Sequence, residues 1–574
     1  GLTREQHRIV TDEQLIECFS SFIAMARHYS PLNSTAPFVI EELEINPFAF
    51  TDYLMVPLDG ICRFSEPRPL PVPRPYHKIG NLLHPQTIGI VGVSTSRVNY
   101  GRIILRNILA QGFPAANIRL IKPEMDEFEG IKCVPDPASV DVKLDLFIIA
   151  VASEKVPDIV DQVIEDQTAE AAMLIAGGMG ETRESRERAA QMMANINKAH
   201  LGNDGGPVFL GANCLGVISH PGQYDTLFIP EVKLPRQREV KKGRAAFISQ
   251  SGAFMITRLS KRPDLNPSYM ISVGNQNDLT LGDMINYLKD DAGLDVIAVY
   301  AEGFKDLDGF SASRAVRNAV LAGKDVIFYK AGRTPEGRSA TSGHTATLAG
   351  DYMVCESCVT QAGGIVADTF SQFEDLLMLS QRLHGKRING NRLAAVSGAG
   401  FEAVCIADNI QSETFAMQMA AFGSDAAGKL RQMLVEKGLD RLVEVKNPLD
   451  INPAADDEAH VRAVQYLAED AGVDAVVVGL DPLSPAMRTL AESDSQQYDM
   501  DNEASIASQM PKLIAKVDKP VIGVVDGGDI YDPLIDRLVR SGMAVFTSSD
   551  AAVQTLAMYI KGRLFAERLR TEVK

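Results

Sequence analysis

The chain has 574 residues, too many for one hydrophobic core, so about three or four domains are expected. Apolar residues make up 45% and charged residues 23%, the proportions of a globular protein. A net charge of −17, with no Lys/Arg-rich tract to offset it, speaks against nucleic acid and anionic membranes and favours a small-molecule or protein partner. No apolar run reaches the roughly 18 residues of a membrane span. The polar start, Gly1-Leu2-Thr3-Arg4, does not read as a signal peptide, and its first residue, Gly rather than Met, fits a processed or truncated product. Seven cysteines, odd in number and widely spaced, do not make a disulfide framework, so a cytoplasmic location is expected.

Residues 1–65 do not read as a complete domain. They give a polar helix near Asp12–His28, a loop, and a strand pair that runs through Glu44-Ile45-Asn46-Pro47 and Leu58-Asp59-Gly60. Alternating prolines over residues 66–80 remove backbone donors and predict an extended linker. From residue 81 strand and helix alternate. Apolar runs at 87–93, 118–121, 146–151, 172–175 and 208–210 have the continuous character of buried parallel strands, and residues 102–111 form a helix between the first two. This describes a doubly wound α/β domain over 81–235. A second α/β unit over 240–385 has strands at 245–248, 269–272, 296–300 and 326–329. A third, over 387–574, has strands at 392–396, 475–478, 521–525 and 544–547.

Three strand–turn–helix junctions stand out. At Val91-Gly92-Val93-Ser94 the glycine admits a close backbone approach, and Ser94 and Ser96 add hydroxyl donors. The turn is not a full G-x-G-x-x-G, so NAD is not required. Ser249-Gln250-Ser251-Gly252-Ala253 and Ser397-Gly398-Ala399-Gly400 repeat the pattern. Each is either a simple helix cap or a phosphate-binding helix end, and the two together could hold one anion between them.

Ser342-Gly343-His344-Thr345-Ala346-Thr347-Leu348-Ala349-Gly350 reads as a loop of small residues around one histidine. A lone histidine is usually a surface or packing residue, but here small neighbours leave room for a bulky group on a nucleophilic imidazole. Glu302 follows an apolar strand, where open α/β sheets bind ligands. It could hold an imidazole in one tautomer or be a solvated loop acid. Asn46 and Asp59 offer oxygen ligands of the kind Mg²⁺ prefers, on adjacent strands, and surface polarity explains them equally well. Cys355-Glu356-Ser357-Cys358 lies in a predicted helix with no second pair for zinc.

Taken in order, these motifs resemble the ADP-forming acyl-CoA synthetases, relatives of succinyl-CoA synthetase, over essentially the whole chain. Gly211-Ala212-Asn213-Cys214-Leu215-Gly216-Val217 is similar to the family's G-P-N-C-x-G-V, with Ala212 in place of Pro. Ser249-Gln250-Ser251-Gly252, Tyr300-Ala301-Glu302-Gly303 and Asn447-Pro448-Leu449-Asp450 match further elements. Ser342–Gly350 resembles the phosphohistidine segment, with Ala346 where Gly is common. The resemblance implies a CoA-binding Rossmann-like domain followed by two flavodoxin-like ligase domains. It also implies that residues 1–65 are the C-terminal portion of an ATP-grasp domain. The rest of that domain would lie in the same polypeptide or in a partner subunit, and an oligomer is expected.

By resemblance, His344 carries the phosphoryl group and Glu302 orients it. Ser251, Gly252, Ala253, Gly398, Ala399 and Gly400 hold phosphate. CoA lies along Gly92, Val93, Ser94, Ser96, Lys122, Val151, Ala176, Gly177, Asn213 and Cys214, and Asn46 and Asp59 bind Mg²⁺ beside ATP or ADP. The implied reaction joins a small-molecule carboxylic acid to CoA. The alternative is a non-catalytic CoA or acyl-CoA sensor. A citrate-cleaving lyase would need a citrate synthase-like helical domain that this chain lacks.

Overall fold

A computed structural model describes residues 10–51, 54–180, 183–344, 351–411, 415–494 and 496–573. The chain divides into two compact units, residues 1–73 and 74–574.

In the first unit the helix Asp12–His28 starts at Thr11, whose hydroxyl accepts from the Gln14 amide while the Gln14 side chain accepts from the Thr11 amide. This reciprocal pair satisfies two otherwise orphaned donors. Val39–Ile45 pairs antiparallel with Gly60–Ser65, and Phe48–Phe50 pairs with Met55–Pro57. Among its described residues little is buried: Ala36 and Val39 are the buried apolar ones, and Ile16, Phe19 and Ile23 lie exposed along one helix face.

The second unit holds three sheets. The first runs in the order Val208–Gly211, Ala169–Leu174, Leu144–Ile149, Ile88–Val91, Ile118–Ile121, Ile131–Val134, Glu127–Phe128, parallel except for the terminal hairpin. The chain leaves Ile88–Val91 toward one side and returns to its other side at Leu144–Ile149. The strand order therefore reverses at Gly92 and Ala150, where such sheets open a crevice at their carboxyl ends. The second sheet runs Tyr224–Asp225, Val217–Ser219, Pro267–Ser272, Gly243–Ser249, Val296–Ala301, Asp325–Lys330, Ile365–Val366, with Val217–Ser219 antiparallel to both neighbours. The third is parallel: Gln418–Met419, Arg392–Ser397, Ala475–Gly479, Val521–Val524, Ala544–Phe546, with Leu449–Asp450 also alongside Arg392–Ser397.

The sheets share cores. Ile88, Ile90 and Ile148 of the first pack in one cluster with Ile248 and Val299 of the second. Phe247 and Phe373 pack in another with Leu393, Ile522 and Phe546 of the third. The long helix Ser549–Val573 joins that cluster through Leu556 and Tyr559, and the Tyr559 hydroxyl donates to Asp325 across the junction.

Two sequence expectations change. The linker predicted over 66–80 ends early. Arg74 forms ion pairs with Asp283 and Asp308, Lys78 with Glu170, and Ile79–Leu83 is a short helix whose Ile79, Leu82 and Leu83 are fully buried. Prolines stiffen residues 66–75, but the apolar positions that follow them belong to the second unit's core. The segment around His344 does not begin as a loop: Pro335–His344 is helical. Thr334 accepts from the Gly337 amide and Pro335 fills the first helical position, a start signal outweighed in the sequence by the run of small residues.

Candidate active site

Three strand–turn–helix junctions hold most of the site residues expected from the sequence. In the first sheet Gly92 has φ +99°, and a Cβ there would lie 2.2 Å from the Ala150 carbonyl, so the crossing of the two strand ends requires glycine. Asn99 organises the turn. Its side-chain oxygen accepts from the amides of Ser94 and Arg102, the second being the cap of the helix Tyr100–Ala110, and its Nδ2 donates to the Gly92 carbonyl. The Lys122 ammonium donates to the Val93 carbonyl at 3.0 Å. A cavity of about 450 Å³ opens at this helix end, lined by Asn99, Tyr100, Val151, Ser153, Ala176 and Gly177 among others.

Of the predicted CoA residues, Val151, Ala176 and Gly177 line this cavity, while Gly92, Val93 and Ser94 form the adjoining turn that Asn99 and Lys122 hold. Ser96 sits on its rim, with its hydroxyl 3.5 Å from that of Ser94. Asn213 reaches the crevice from behind, its amide donating to the Ala176 carbonyl. Cys214 does not belong there. It is 1% exposed, its thiol donates to the Leu174 carbonyl, and burial pushes its pKa up to about 12, so it packs rather than touches a ligand. The residues missed in the sequence are Asn99 and Tyr100. An Asn directly before an apolar-periodic run is the cap signal that could have found the first.

In the second sheet Ser249 and Tyr300 sit side by side at the carboxyl ends of paired parallel strands. The Ser249 hydroxyl donates to the Ser251 carbonyl at 2.6 Å, and the Ser251 hydroxyl accepts from the Phe254 amide, capping the helix Gly252–Lys261. A Cβ on Gly252 would lie 2.4 Å from that of Leu215. Gln250, almost fully buried, staples the two turns: its Oε1 accepts from the amides of both Glu302 and Gly303, at 2.8 and 3.0 Å.

Glu302 is 9% exposed, and the Tyr300 hydroxyl donates to its carboxylate at 3.4 Å. Burial, then the Glu302 charge, raises the Tyr300 pKa above the ordinary phenol range, so this phenol stays a donor. Below them lies Lys330, with no exposed surface. Its ammonium donates to the carbonyls of Glu302 and Ala331, and burial lowers its pKa. Gln250, Tyr300 and Lys330 thus fix the Glu302 backbone and carboxylate; the first two lie in motifs read from the sequence, but no role follows from the sequence for any of the three. A lysine closing an otherwise apolar strand was the available clue. The His344 side chain and residues 345–350 lie outside the described residues.

The third junction differs. Ala399 precedes the helix Gly400–Asp408 without a side-chain cap. Glu402 in its first turn is 3% exposed and accepts from the Ser397 hydroxyl at 2.5 Å. A Cβ on Gly398 would lie 2.4 Å from Asp481 Oδ2, and one on Gly400 would lie 3.1 Å from Asp450 Oδ2. Burial raises the pKa values of Glu402 and Asp481. Carboxylates, not donors, crowd this helix end.

In the first unit the Asn46 amide donates to the Asp59 carbonyl at 3.0 Å, which sets the two residues opposite one another where the strand pair ends. Asp59 Oδ1 accepts from the Gly60 amide, and both side chains are exposed. Among the described residues no group of three or more His, Cys, Asp or Glu is placed to hold a metal ion. Cys355 and Cys358 lie on the helix Tyr352–Gln361, and all seven cysteines are unbridged. Among the described residues no helix is long and apolar enough to cross a membrane.

Comparison with known proteins agrees with this layout. A CoA binding domain matches residues 86–220, and a succinyl-CoA ligase-like flavodoxin domain matches residues 242–380. The chain thus carries a CoA binding domain followed by a succinyl-CoA ligase-like flavodoxin domain. It is 30% identical over 405 residues to acetate–CoA ligase (ADP-forming) I of Archaeoglobus fulgidus, a match covering 70% of this chain and 54% of the relative. It is 28% identical over 396 residues to the alpha subunit of acetate–CoA ligase (ADP-forming) II of Pyrococcus furiosus, covering 69% of this chain and 80% of that subunit. The chain therefore spans about half the length of the first relative. In fold it is similar to a dinucleotide-forming acetyl-coenzyme A synthetase 1 of Ca. Korarchaeum cryptofilum solved with phosphate and ADP, with a TM-score of 0.74 at 24% identity, covering 87% of this chain and 99% of that one.

Proposed function

We propose that the chain is the CoA-binding and phosphoryl-carrying part of an ADP-forming acid–thiol ligase, catalysing acyl-CoA + ADP + phosphate ⇌ acid + CoA + ATP. The observation that carries this reading is the pairing of two turns by Gln250. It sets the capped helix end at Ser251–Gly252 beside the buried Glu302 in a chain whose residues 86–220 match a CoA binding domain. A helix N-terminus with free amides suits a phosphate, and a buried carboxylate that accepts from Tyr300, on a backbone pinned by Gln250 and Lys330, suits the orientation of an imidazole.

In this scheme CoA lies along the Gly92–Asn99 turn, its thiol end directed toward Ala176-Gly177. Phosphate attacks the thioester, the C–S bond breaks, and CoA leaves as an acyl phosphate forms. His344 attacks phosphorus and the carboxylic acid leaves. ADP then takes the phosphoryl group from the imidazole. Glu302 accepts the hydrogen bond of the imidazole's other nitrogen. Ser251, Gly252 and Ala253 hold the phosphate. Carboxylates surround Gly398, Ala399 and Gly400, so an anion there would need a cation or protons beside it, and the burden falls on the first helix end.

Asn46 and Asp59 lie on backbones joined by a hydrogen bond, and their amide and carboxylate oxygens are a donor set that fits Mg²⁺ when a nucleotide and water complete its shell. The ion would supply charge screening for the phosphates. The remaining nucleotide-binding portion would come from the same polypeptide or a partner subunit, in line with relatives that occur as separate alpha subunits. Seven unbridged cysteines fit a reducing compartment.

The test is to incubate the complete enzyme with radiolabelled ATP and Mg²⁺ and look for acid-labile, base-stable label. His344→Ala should abolish both label and turnover, and Asp59→Ala should block labelling from ATP while leaving CoA binding intact. Label that persists in His344→Ala would put the carrier elsewhere. The sensor reading would gain if the wild type took no label while binding CoA.

A further inference from the structure

A cavity of about 680 Å³ lies apart from the CoA crevice, between the helices Asp308–Leu321 and Tyr352–Gln361 on one face of the second sheet. Its walls are apolar, built from Phe304, Phe310 and Phe328 on one side and Val354 and Val359 on the other. At about 30 Å³ per molecule, water filling such a space would number roughly twenty, most of them against carbon.

Three cations line the same cavity: Lys305, Arg314 and Arg317. Among the described residues none of the three forms an ion pair, although acidic residues outnumber basic ones by 74 to 57 in this protein. The Lys305 ammonium is half-buried, and burial lowers its pKa. Its strongest counter-charge, Asp308, is itself bound by Arg74 at 2.8 Å. Two carboxylates also line the cavity. Asp351 is engaged by the amides of Met353 and Val354, and Asp306 is exposed.

We propose that this cavity binds a carboxylic acid with a bulky apolar tail. Its carboxylate would be received by Lys305 with Arg317, and its tail would lie among Phe304, Phe310 and Val354. The walls account for a tail because they offer hydrocarbon over a length that acetate could not use, and ligand pockets of this volume suit molecules far larger than acetate. The cations account for a carboxylate because a half-buried ammonium without a partner gains most from an anion that brings its own counter-charge.

The experiment is calorimetric titration of the folded 574-residue chain with a straight-chain series from acetate to decanoate, with octan-1-ol as the uncharged control. Affinity should be negligible for acetate and rise about three- to fourfold for each added methylene until the cavity is filled. Octan-1-ol should bind about tenfold more weakly than octanoate. Lys305→Gln should remove that tenfold preference and leave octan-1-ol unchanged. Val354→Trp, at a largely exposed position that tolerates the change, should fill the cavity and abolish binding of both, with an unaltered circular dichroism spectrum.

Octanoate that fails to saturate the wild-type chain, equal affinities for octanoate and octan-1-ol, or wild-type binding by Val354→Trp would overturn the proposal. Turnover of the complete enzyme then separates two sources of the same chemistry, both of which uphold the site. A substrate acid would show a raised KM in Val354→Trp. An effector would alter acetate-dependent turnover in the wild type and not in that variant. Because binding is read without catalysis, the site stands or falls separately from the ligase reaction.

Discussion

The junctions at residues 249–252 and 397–400 begin alike and end as opposites. In each, a fully buried serine closes a parallel strand and sets its hydroxyl oxygen near the carbonyl two residues on, Ser249 at 2.6 Å from that of Ser251 and Ser397 at 3.2 Å from that of Ala399. Each then turns into a helix through glycine. At the first, Ser251 caps the helix and the first turn holds no acid. At the second the cap position is alanine, Glu402 sits in the first turn, and Asp450 and Asp481 approach the glycines. A helix N-terminus attracts negative charge. The third sheet meets that attraction with its own carboxylates, while at the second sheet the first turn of the helix carries no acid. One local motif, carried by two domains, therefore serves opposite electrostatic ends.

The sharpest way to break this contrast is to give the first end what the second has. Ala253 is exposed in the first turn of its helix, so Ala253→Asp should fit without a clash and leave the melting temperature unchanged or slightly raised, since an acid there suits the helix dipole. The same charge would repel a bound phosphate. Turnover of the complete enzyme should fall by about 100-fold or more, the scale on which one lost anion-stabilising group is felt. Wild-type turnover in this variant would move the phosphate site away from Ser251–Ala253.

A smaller difference separates the two junctions in stability. Ser397→Ala takes the hydroxyl donor from a buried carboxylate and should cost roughly 1–3 kcal/mol. Ser251→Ala removes a helix cap at a partly exposed position and should cost about 1 kcal/mol. Denaturant titrations of the two variants side by side would check the order. Equal losses would mean that the Glu402 bond is not what distinguishes the third sheet.

How much of this could be read from the sequence follows from which forces are local. The buried parallel strands were legible because each is a continuous apolar run, and the turns were legible because small residues at strand ends have few other uses. The charge around the turns was not. Asp481 reaches Gly398 across 83 positions of sequence, and Arg74 finds Asp308 across 234. No periodicity announces such pairings. Cys214 shows the same limit: its motif pointed to a ligand, yet only the packing around it shows that the thiol faces the core. The helix before His344 was legible from Thr334 and Pro335, and was missed because a run of Ser, Thr and Gly reads first as a loop.

The smallest effect expected is a difference in pH dependence at the second junction. Burial raises the Glu402 pKa, the hydrogen bond from Ser397 lowers it, and the charges of Asp481 and Asp526 raise it, with a net rise above the ordinary glutamate value. A carboxyl whose folded pKa lies above its unfolded one stabilises the fold most fully below the unfolded value, about 4.3. That contribution is lost as the pH rises through the folded value, because the unfolded chain gives up the proton first. Glutamine at this position keeps an acceptor for Ser397 and carries no proton to lose. Glu402→Gln should therefore match the wild type near pH 4, gain on it as the pH rises, and hold a constant advantage once the wild-type carboxyl has ionised. Hydrogen exchange in the helix Gly400–Asp408 reads this locally, without asking the whole chain to unfold. A variant that loses protection as the pH rises would mean that Glu402 is ionised and compensated in the fold. In that case the carboxylates at this helix end form a stable charged cluster rather than a strained one, and the second junction could attract a cation where the first attracts an anion.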